Sequence, residues 1–214
     1  PKFFSFNVDG GRCEKCKGDG FISIDMQFMA DIKVPCEDCS GKRYKKNILK
    51  IYYKGKNIYD ILNMTIDSAH DFFQKENQKN ITKHLITLQN VGLGYVKLGQ
   101  NISSLSGGES QRLKLAYFLN KKIENSIMIF DEPTTGLHIH DIKKLLKSFN
   151  EILTKNNTII IIEHNMEIIK SSDWIIEMGP EGGYNGGEIV FEGAPEKMIN
   201  KNTNTSKVLK KYLN

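Results

Sequence analysis

The sequence contains no apolar run that approaches the roughly 20 residues a membrane-spanning helix needs. Two apolar runs of four residues cover residues 127–130 and 159–162, and such short, isoleucine-rich runs predict buried strands. No N-terminal secretory signal is present either. These absences exclude a protein built around membrane spans, and we expect a soluble protein of the cytoplasm.

Arginine is nearly absent as well. Only Arg12, Arg43 and Arg112 occur, so 27 of the 30 basic residues are lysines, and the net charge is +5. A mild positive balance is compatible with a nucleic-acid partner but does not by itself predict one, because a solvated lysine-rich surface gives the same charge. The hydrophobic content of 39% and the charged content of 26% are those of an ordinary globular protein.

The 214 residues are enough for one α/β domain with a smaller module attached. Pro1 stands where an initiator methionine is expected, which indicates a piece of a longer polypeptide. The apolar spacing predicts these elements in chain order: an exposed strand over 1–8, helices within 57–90, a helix over 109–122, a strand over 126–131, a helix over 139–154, a strand over 158–163 and a short hairpin around 188–191. Strand, helix and strand in succession are typical of a parallel sheet covered by helices.

All four cysteines lie in one short segment, as the pairs Cys13 with Cys16 and Cys36 with Cys39. Two residues separate the members of each pair, and 19 residues separate the pairs. Glycines follow each pair and permit the tight turn in which backbone N–H groups point at sulfur. Residues 21–34 can form two strands joined by a turn. Two such knuckles supply the four soft ligands of a tetrahedral structural zinc ion.

Disulfides or buried free thiols are the alternatives to zinc. A cytoplasmic chain disfavours disulfides, and four cysteines close the coordination sphere, which argues against a catalytic zinc. A module this short has almost no apolar core, so bound metal, contributing on the order of 10–16 kcal/mol in small peptides, decides its fold. The repeated unit also resembles the cysteine-rich domain of DnaJ-type chaperones, which carries more copies of it.

Residues 105–112 read Leu-Ser-Gly-Gly-Glu-Ser-Gln-Arg, and they follow a loop and open a predicted helix. Ser106, Gly107 and Gly108 at a helix N-terminus expose several backbone N–H groups, and the helix dipole adds positive potential. An isolated Ser-Gly-Gly is a common turn, so the prediction depends on the full string of residues 105–112. This start of a helix is predicted to bind phosphate.

Two carboxylates, Asp131 and Glu132, end one predicted strand, and His164 follows the next. Mg²⁺ prefers oxygen ligands and keeps several waters, while a second carboxylate at a strand end can polarise one water. Solvated strand-end charges and a surface histidine are the alternative. The phosphate-cradling P-loop pattern Gly-x4-Gly-Lys-[Ser/Thr] occurs nowhere in the sequence.

These strings together resemble the ABC ATPases. Residues 105–112 are similar to the signature motif of that family, residues 127–132 to its Walker B strand, residues 133–138 to its D-loop, and His164 to its switch histidine. The resemblance implies composite sites for ATP and Mg²⁺ whose P-loop lies upstream of this chain. This piece by itself is therefore expected to be inactive.

The same resemblance implies a role for each site residue. It gives Asp131 the Mg²⁺-organising role, Glu132 the role of general base, and His164 contact with the γ-phosphate. It also implies that a group of residues at the signature contacts the phosphates of ATP held by a different half, namely Ser106, Gly107, Gly108 and Glu109. Glu109 stands where many ABC ATPases have glutamine.

The cysteine segment ahead of the signature narrows the resemblance to the UvrA family, the damage-recognition ATPases of bacterial nucleotide excision repair. The matching strings are residues 6–16, 34–39, 41–44, 69–73, 91–95, 98–100, 131–138, 162–165 and 173–183. The resemblance covers nearly the whole chain. It implies a partial α/β nucleotide-binding domain of ABC type, organised as a strand over 1–8, an inserted four-cysteine zinc module over 9–49, a helical signature subdomain over 50–104, an ATPase core over 105–195 and a tail over 196–214.

This family resemblance also implies partners: damaged double-stranded DNA, a UvrB-type repair subunit, and a second copy of the full-length protein, with no membrane and no cutting of DNA. The residues expected to face DNA, from their charge and their place on the module, are Arg12, Lys15, Lys17, Lys33, Lys42 and Arg43. Two other interpretations are an ATPase subunit of an ABC transporter and a zinc-binding module without enzymatic activity. The cysteine module is foreign to an ABC transporter subunit, and the signature and Walker B strings are foreign to a zinc-binding module without enzymatic activity.

Overall fold

A computed structural model describes residues 2–5, 7–26, 29–121 and 123–213, apart from the side chains of residues 29–31 and 213. The chain forms two compact units. The first comprises Pro1–Gln78 with Tyr95–Gln100, and the second comprises Lys79–Gly94 with Asn101–Asn214. The predicted helical segment over 50–104 therefore contributes to both units. Within the described ranges, no helix combines the length and the apolar character that a membrane span requires.

The first unit contains a hairpin and three short helices. The antiparallel strands β1 (Phe21–Met26) and β2 (Met29–Pro35) confirm the predicted hairpin between the cysteine pairs. The helices are α1 (Lys46–Leu49), α2 (Ile58–Asn63) and α3 (Ile66–Lys75). A reciprocal capping box between Asn57 and Asp60 begins α2, which satisfies N–H groups that have no partner inside the helix.

The N-terminal segment is not the predicted strand. Lys2–Phe4 form a single 3-10 turn, and residues 7–10 continue in bends and turns. The carbonyl of Phe4 accepts a hydrogen bond from the hydroxyl of Tyr44 at 2.8 Å, and Tyr44 is buried. A strand needs a partner strand for its ladder, and this segment bonds to a side chain instead. Alternation of apolar and polar residues therefore gave a wrong prediction here.

The second unit combines a parallel strand pair with helices and a hairpin. Its elements are α4 (Lys79–Asn90), α5 (Gly107–Lys121), β3 (Ile127–Asp131), α6 (Ile139–Leu153), β4 (Thr158–Ile162), α7 (Met166–Ile169), β5 (Ile175–Gly179), β6 (Glu188–Gly193), α8 (Pro195–Met198) and α9 (Asn204–Leu213). Strands β3 and β4 are parallel with α6 between them in the chain, which confirms the predicted βαβ unit. The short hairpin predicted around 188–191 is instead a single strand, β6, which pairs with β5.

Helices α4, α5 and α6 pack against one another in the second unit. They bury Leu85, Leu115 and Leu145, each at 5% exposure or less. Gly92 follows the end of α4 with φ +78, a conformation that favours glycine at a helix C-terminus. A Cβ atom at Gly92 would lie 2.7 Å from Cδ2 of Leu137. The close approach of these two residues sets the end of α4 against the loop that follows β3.

Within this chain, strands β3 and β4 are covered on one face only, so their predicted burial holds for one face and not for the other. In β3, Met128 and Phe130 are buried, whereas Ile127 and Ile129 are 70% and 63% exposed. Phe130 packs against Phe149 of α6 with ring centroids 5.2 Å apart. Alternate residues of β4 are likewise exposed. Isoleucine-rich runs identify the strands, but they do not report what covers each face.

Candidate metal centre and nucleotide-binding edge

The four cysteines form one buried cluster in the first unit. The sulfur atoms of Cys13, Cys16, Cys36 and Cys39 all lie within 4.8 Å of one another. The sulfur of Cys13 is 3.8 Å from that of Cys36, and the sulfur of Cys16 is 3.7 Å from that of Cys39. A disulfide holds its sulfur atoms about 2.0 Å apart, so these distances exclude disulfides, and all four thiols are unbridged.

The cluster has the dimensions of a tetrahedral zinc site. With a Zn–S bond of about 2.3 Å, a regular tetrahedron places its sulfur atoms about 3.8 Å apart. The knuckle turn also brings a donor onto sulfur, because the N–H of Gly20 donates to the sulfur of Cys16 at 3.3 Å. Gly20 has φ +82, and a Cβ there would lie 2.8 Å from the carbonyl oxygen of Gly41. The donor set and its turns therefore fit zinc.

The thiols differ in acidity. Burial raises the pKa of Cys39 to about 12 and also raises the pKa of Cys13. The pKa of Cys36 is lowered, chiefly because the backbone N–H of Cys39 hydrogen-bonds its sulfur. Zinc binds thiolates rather than thiols, so metal binding has to displace protons from this cluster. A dication would also offset the mutual repulsion of closely spaced thiolates.

Two of the predicted DNA-facing residues are held by acidic neighbours. Arg12 donates to Oδ1 of Asp9 from Nε at 3.0 Å and from Nη2 at 2.8 Å. The ammonium group of Lys15 pairs with Glu37 at 3.1 Å and with Asp38 at 3.3 Å. These carboxylates offset both positive charges locally, which weakens the case for Arg12 and Lys15 as phosphate contacts.

The remaining lysines of this predicted set are more available. Lys17 and Lys42 are exposed, and neither forms an ion pair with any residue that the structure describes. Lys33 is exposed on β2, with its ammonium 4.7 Å from the ring centroid of Phe21. Lys17 and Lys42 lie on the knuckle turns, each within three residues of a cysteine. They are the clearest candidates for contact with an anionic partner.

Arg43 has a structural contact within the first unit. Its carbonyl accepts a hydrogen bond from the N–H of Cys13 at 2.8 Å, and its Nη1 donates to the carbonyl of Gly99 at 2.6 Å. The N–H of Gly99 donates in turn to the carbonyl of Leu62 at 2.8 Å. A cleft of 350 Å³ beside these groups has Arg43 and Lys97 in its wall. Arg43 thus links a cysteine knuckle to the segment Tyr95–Gln100.

Helix α5 begins at the predicted phosphate-binding string in the second unit. The N–H of Ser106 donates to Oε2 of Glu109 at 2.8 Å, and the N–H of Glu109 donates to Oγ of Ser106 at 3.3 Å. This reciprocal capping box fixes the start of the helix. Gly107 is exposed, and a Cβ built there would meet nothing within 4 Å. The positive end of a 15-residue helix therefore faces open space at Gly107.

Gly108 and Arg112 fix α5 to the loop after β3. Arg112 is fully buried, and its Nη1 donates to the carbonyls of Pro133 at 3.0 Å and Thr135 at 2.9 Å. Gly108 is buried beside them, and a Cβ there would lie 2.8 Å from the carbonyl oxygen of Thr135. Because backbone and side chain meet this closely, the first turn of α5 and the loop cannot shift independently without breaking these contacts.

Asp131 and Glu132 stand at the carboxyl end of β3. Asp131 lies opposite Ile162 in the parallel ladder, and the N–H of Glu132 donates to the carbonyl of Ile162 at 2.9 Å. Glu132 has φ +44, in the left-handed region that non-glycine residues occupy at a cost of about 1–3 kcal/mol, often at functional sites. Its Oε1 lies 3.7 Å from Nε2 of His164. The structure thus brings the predicted base and the predicted switch histidine together at an open edge.

Glu163 is a residue that the sequence reasoning did not single out. Its Oε1 accepts hydrogen bonds from the N–H and the hydroxyl of Thr134, at 2.8 and 2.5 Å. Its Oε2 accepts from the N–H groups of His164 and Asn165, at 3.0 and 3.2 Å. The available signal was an acidic residue placed directly between a predicted strand and the histidine, where a carboxylate can reach loop N–H groups.

Comparison with known proteins agrees with this geometry. Residues 26–135 match the family model described as ABC transporter. The chain is 54% identical to UvrABC system protein A of Clostridium perfringens and 53% identical to that of Aquifex aeolicus, each over 215 residues that cover 100% of this chain and 23% of the relative. It is 55% identical to the Staphylococcus aureus protein of the same name over 212 residues, which are 98% of this chain and 22% of that protein.

A solved structure is similar as well. The crystal structure of UvrA2 from Deinococcus radiodurans superposes with a TM-score of 0.85 at 41% sequence identity, covering 99% of this chain and 26% of the other. The chain thus spans less than a quarter of the length of these curated relatives. The predicted α/β fold of ABC type and the predicted resemblance are both confirmed.

We expect one zinc ion per chain in the purified protein, because four thiols at tetrahedral spacing form a closed site. Cys36→Ser should lower the zinc content, since a serine hydroxyl is a much poorer zinc ligand than a thiolate. Metal analysis by mass spectrometry measures both. Ser40→Ala, next to Cys39, is the control and should keep full occupancy. A parent protein without zinc, or a Cys36→Ser protein with an undiminished content, contradicts the assignment.

Gly108→Ala should lower the free energy of unfolding by about 1–3 kcal/mol, because the added methyl group is forced against the carbonyl of Thr135. Gly107→Ala is the matched control in the same helical turn, where a methyl group meets open space. Its effect should stay within about 0.5 kcal/mol. Urea unfolding of the two variants and the parent checks the difference, and equal effects of both substitutions would show that the contact is not tight.

Proposed function

The chain belongs to the ABC transporter family, and on that premise we propose that it forms part of a DNA-binding ATPase of nucleotide excision repair. The observation that carries the proposal is the edge where β3 and β4 end. There Glu132 and His164 lie 3.7 Å apart, directly beside Asp131. Hydrolysis of a nucleoside triphosphate uses one carboxylate to help hold Mg²⁺ and a second group to orient the attacking water, and the two strand-end acids can supply both, with His164 in reach of Glu132.

Each residue at this edge has a distinct proposed role. Asp131 is exposed and would hold Mg²⁺, which neutralises charge on the phosphates when it is bound. Glu132 would accept a proton from the attacking water as the general base. His164 would contact the terminal phosphate from the neighbouring strand. The open position of Glu132 and His164, whose side chains are 54% and 86% exposed, supports access for a nucleotide.

The start of α5 is proposed to bind the phosphates of a nucleotide held by another ATPase half. Ser106 and Gly107 are exposed there, and the helix N-terminus favours negative charge. Gly108 supports the helix from behind, and Glu109 caps it. Because the sequence contains no P-loop, we propose that a full-length polypeptide supplies one upstream, and that this chain alone does not hydrolyse ATP.

The zinc module is the proposed contact with DNA. A structural zinc ion would hold the two knuckles rigid and so fix the positions of the lysines on them. Lys17 and Lys42 present charge there without an ion pair to any described residue. Similarity to UvrABC system protein A at 53–55% identity supports nucleic acid as the partner.

The same similarity supports further proposals about the full-length protein. We propose that it recognises damaged double-stranded DNA, acts as a homodimer and loads a UvrB-type subunit, and that it does not itself cut DNA. The matched family model also admits an ATPase subunit of a transporter. DNA binding that depends on the zinc module separates these two interpretations, because a transporter subunit has no use for it.

In the full-length protein, Glu132→Gln should lower the turnover of ATP by about 10²–10⁴-fold, because the amide cannot accept the proton of the attacking water. The control is Glu151→Gln, which changes an exposed carboxylate on α6 far along the chain from the site. Steady-state phosphate release measures both. An unchanged turnover in Glu132→Gln would remove Glu132 from the role of general base.

The double variant Lys17→Gln/Lys42→Gln should weaken binding of the full-length protein to duplex DNA, because each substitution removes a phosphate contact. Each lost contact should also make the slope of log affinity against log salt concentration less steep by roughly 1. Lys15→Gln is the matched control on the same module, because Glu37 and Asp38 already offset its charge. Fluorescence anisotropy across a salt series, with damaged and intact duplexes, gives the slopes. Equal losses in the two proteins contradict the assignment of Lys17 and Lys42.

A further inference from the structure

Glu163 sits between the two loops that carry the proposed catalytic groups. It follows the last residue of β4, and one loop begins directly after it with His164. The other loop begins after β3 with Glu132 and Pro133 and continues through Thr134. The chain reaches these loops from different strands, so nothing in the local sequence fixes the distance between them.

The carboxylate of Glu163 divides its two oxygen atoms between these loops. Oε1 takes both hydrogen bonds from Thr134, one from the backbone and one from the hydroxyl. Oε2 takes the backbone N–H groups of His164 and Asn165. Hydrogen bonds to an ionised acceptor are roughly twice as strong as neutral ones. Four such bonds on one carboxylate make it the direct connection between the two loops.

The side chains of Glu132 and His164 have little else to hold them. They are 54% and 86% exposed, so packing does not fix their positions. Among the described residues, the carboxylate of Glu132 also accepts a long hydrogen bond of 3.4 Å from the hydroxyl of Thr135. The relative position of the two groups therefore follows from where their backbones lie. Those backbones are joined by the β3–β4 ladder on one side and by Glu163 on the other.

We propose that Glu163 is a positioning residue for ATP hydrolysis, which sets the distance between Glu132 and His164 by bridging the loops after β3 and β4. The proposal rests on the proposed ATPase function. It assigns Glu163 no contact with nucleotide and no proton transfer. Loss of the bridge lets the two loops separate, although the side chains of Glu132 and His164 are still present. The chemical step then slows, whereas nucleotide binding by the upstream P-loop is retained.

The test uses Glu163→Gln in the full-length protein. A glutamine fills the same space, but its NH₂ group cannot accept a hydrogen bond, so one of the two loops is released. We expect kcat for ATP to fall about 10- to 100-fold with KM changed less than about threefold, the pattern for misplacement of a catalytic group. The matched control is Glu167→Gln on α7, whose carboxylate pairs with Lys170 and not with either loop.

A second pair of variants tests the same bridge if Glu163→Gln does not fold. Thr134→Val removes the hydroxyl that donates to Glu163, whereas Thr134→Ser keeps it. We expect Thr134→Val to lower kcat and Thr134→Ser to match the parent. In the double variant Glu163→Gln/Thr134→Val the two losses should combine to less than their product, because both act through one bridge.

The outcomes separate the positioning proposal from the proposed function. A parent protein without ATPase activity, or with activity that Glu132→Gln leaves intact, overturns the function and this proposal with it. An active, Glu132-dependent parent whose kcat is unchanged in both Glu163→Gln and Thr134→Val overturns the positioning proposal alone. Multiplicative losses in the double variant, or equal losses in Glu167→Gln, also overturn it, since they indicate general destabilisation.

Discussion

The parallel register of β3 and β4 is the constraint on which the candidate nucleotide-binding edge depends. Asp131 lies opposite Ile162, and the N–H of Glu132 extends the ladder by one bond to the carbonyl of Ile162. Parallel strands end at the same edge of a sheet, so this register delivers the residues after each strand to one place. A shift of one residue would turn every side chain of a strand to its other face. The acids of one strand and the histidine of the other then could not meet.

The first unit depends on a different kind of constraint. Its hairpin leaves Ile22, Ile24, Ile32 and Val34 exposed, so the strands do not close an apolar core of their own. The buried centre of the module is the cysteine cluster itself. Within this module the cysteine cluster therefore takes the place of an apolar core, and a metal ion bound there would supply the stability that such a core gives elsewhere. Arg43 connects the cysteine cluster to a neighbouring segment of the unit. Its carbonyl accepts a hydrogen bond from the N–H of Cys13, and its Nη1 donates to the carbonyl of Gly99.

The sequence was most informative where residue identity carries the chemistry. Paired cysteines, strand-end acids and a helix start with Gly107 and Gly108 are recognisable because only a few residue types serve these purposes. The strands β3 and β4 were also found, yet the exposure of Ile127 and Ile129 was not, because an isoleucine has the same signature whether one face or both faces are covered. The 3-10 turn at Lys2–Phe4 was missed because its partner, Tyr44, lies far along the chain.

The contacts of Glu163 could not be predicted from the sequence for a related reason. A glutamate beside a histidine has no pattern of its own, and its importance comes from four donors that the fold brings to it. The loop that it bonds at Thr134 is also bonded by the buried Arg112 at Pro133 and Thr135. This loop is therefore attached to α5 on one side, through Arg112, and to the end of β4 on the other, through Glu163. A displacement at either attachment has to strain the other or break it, so this loop joins helix α5 to the segment that carries His164.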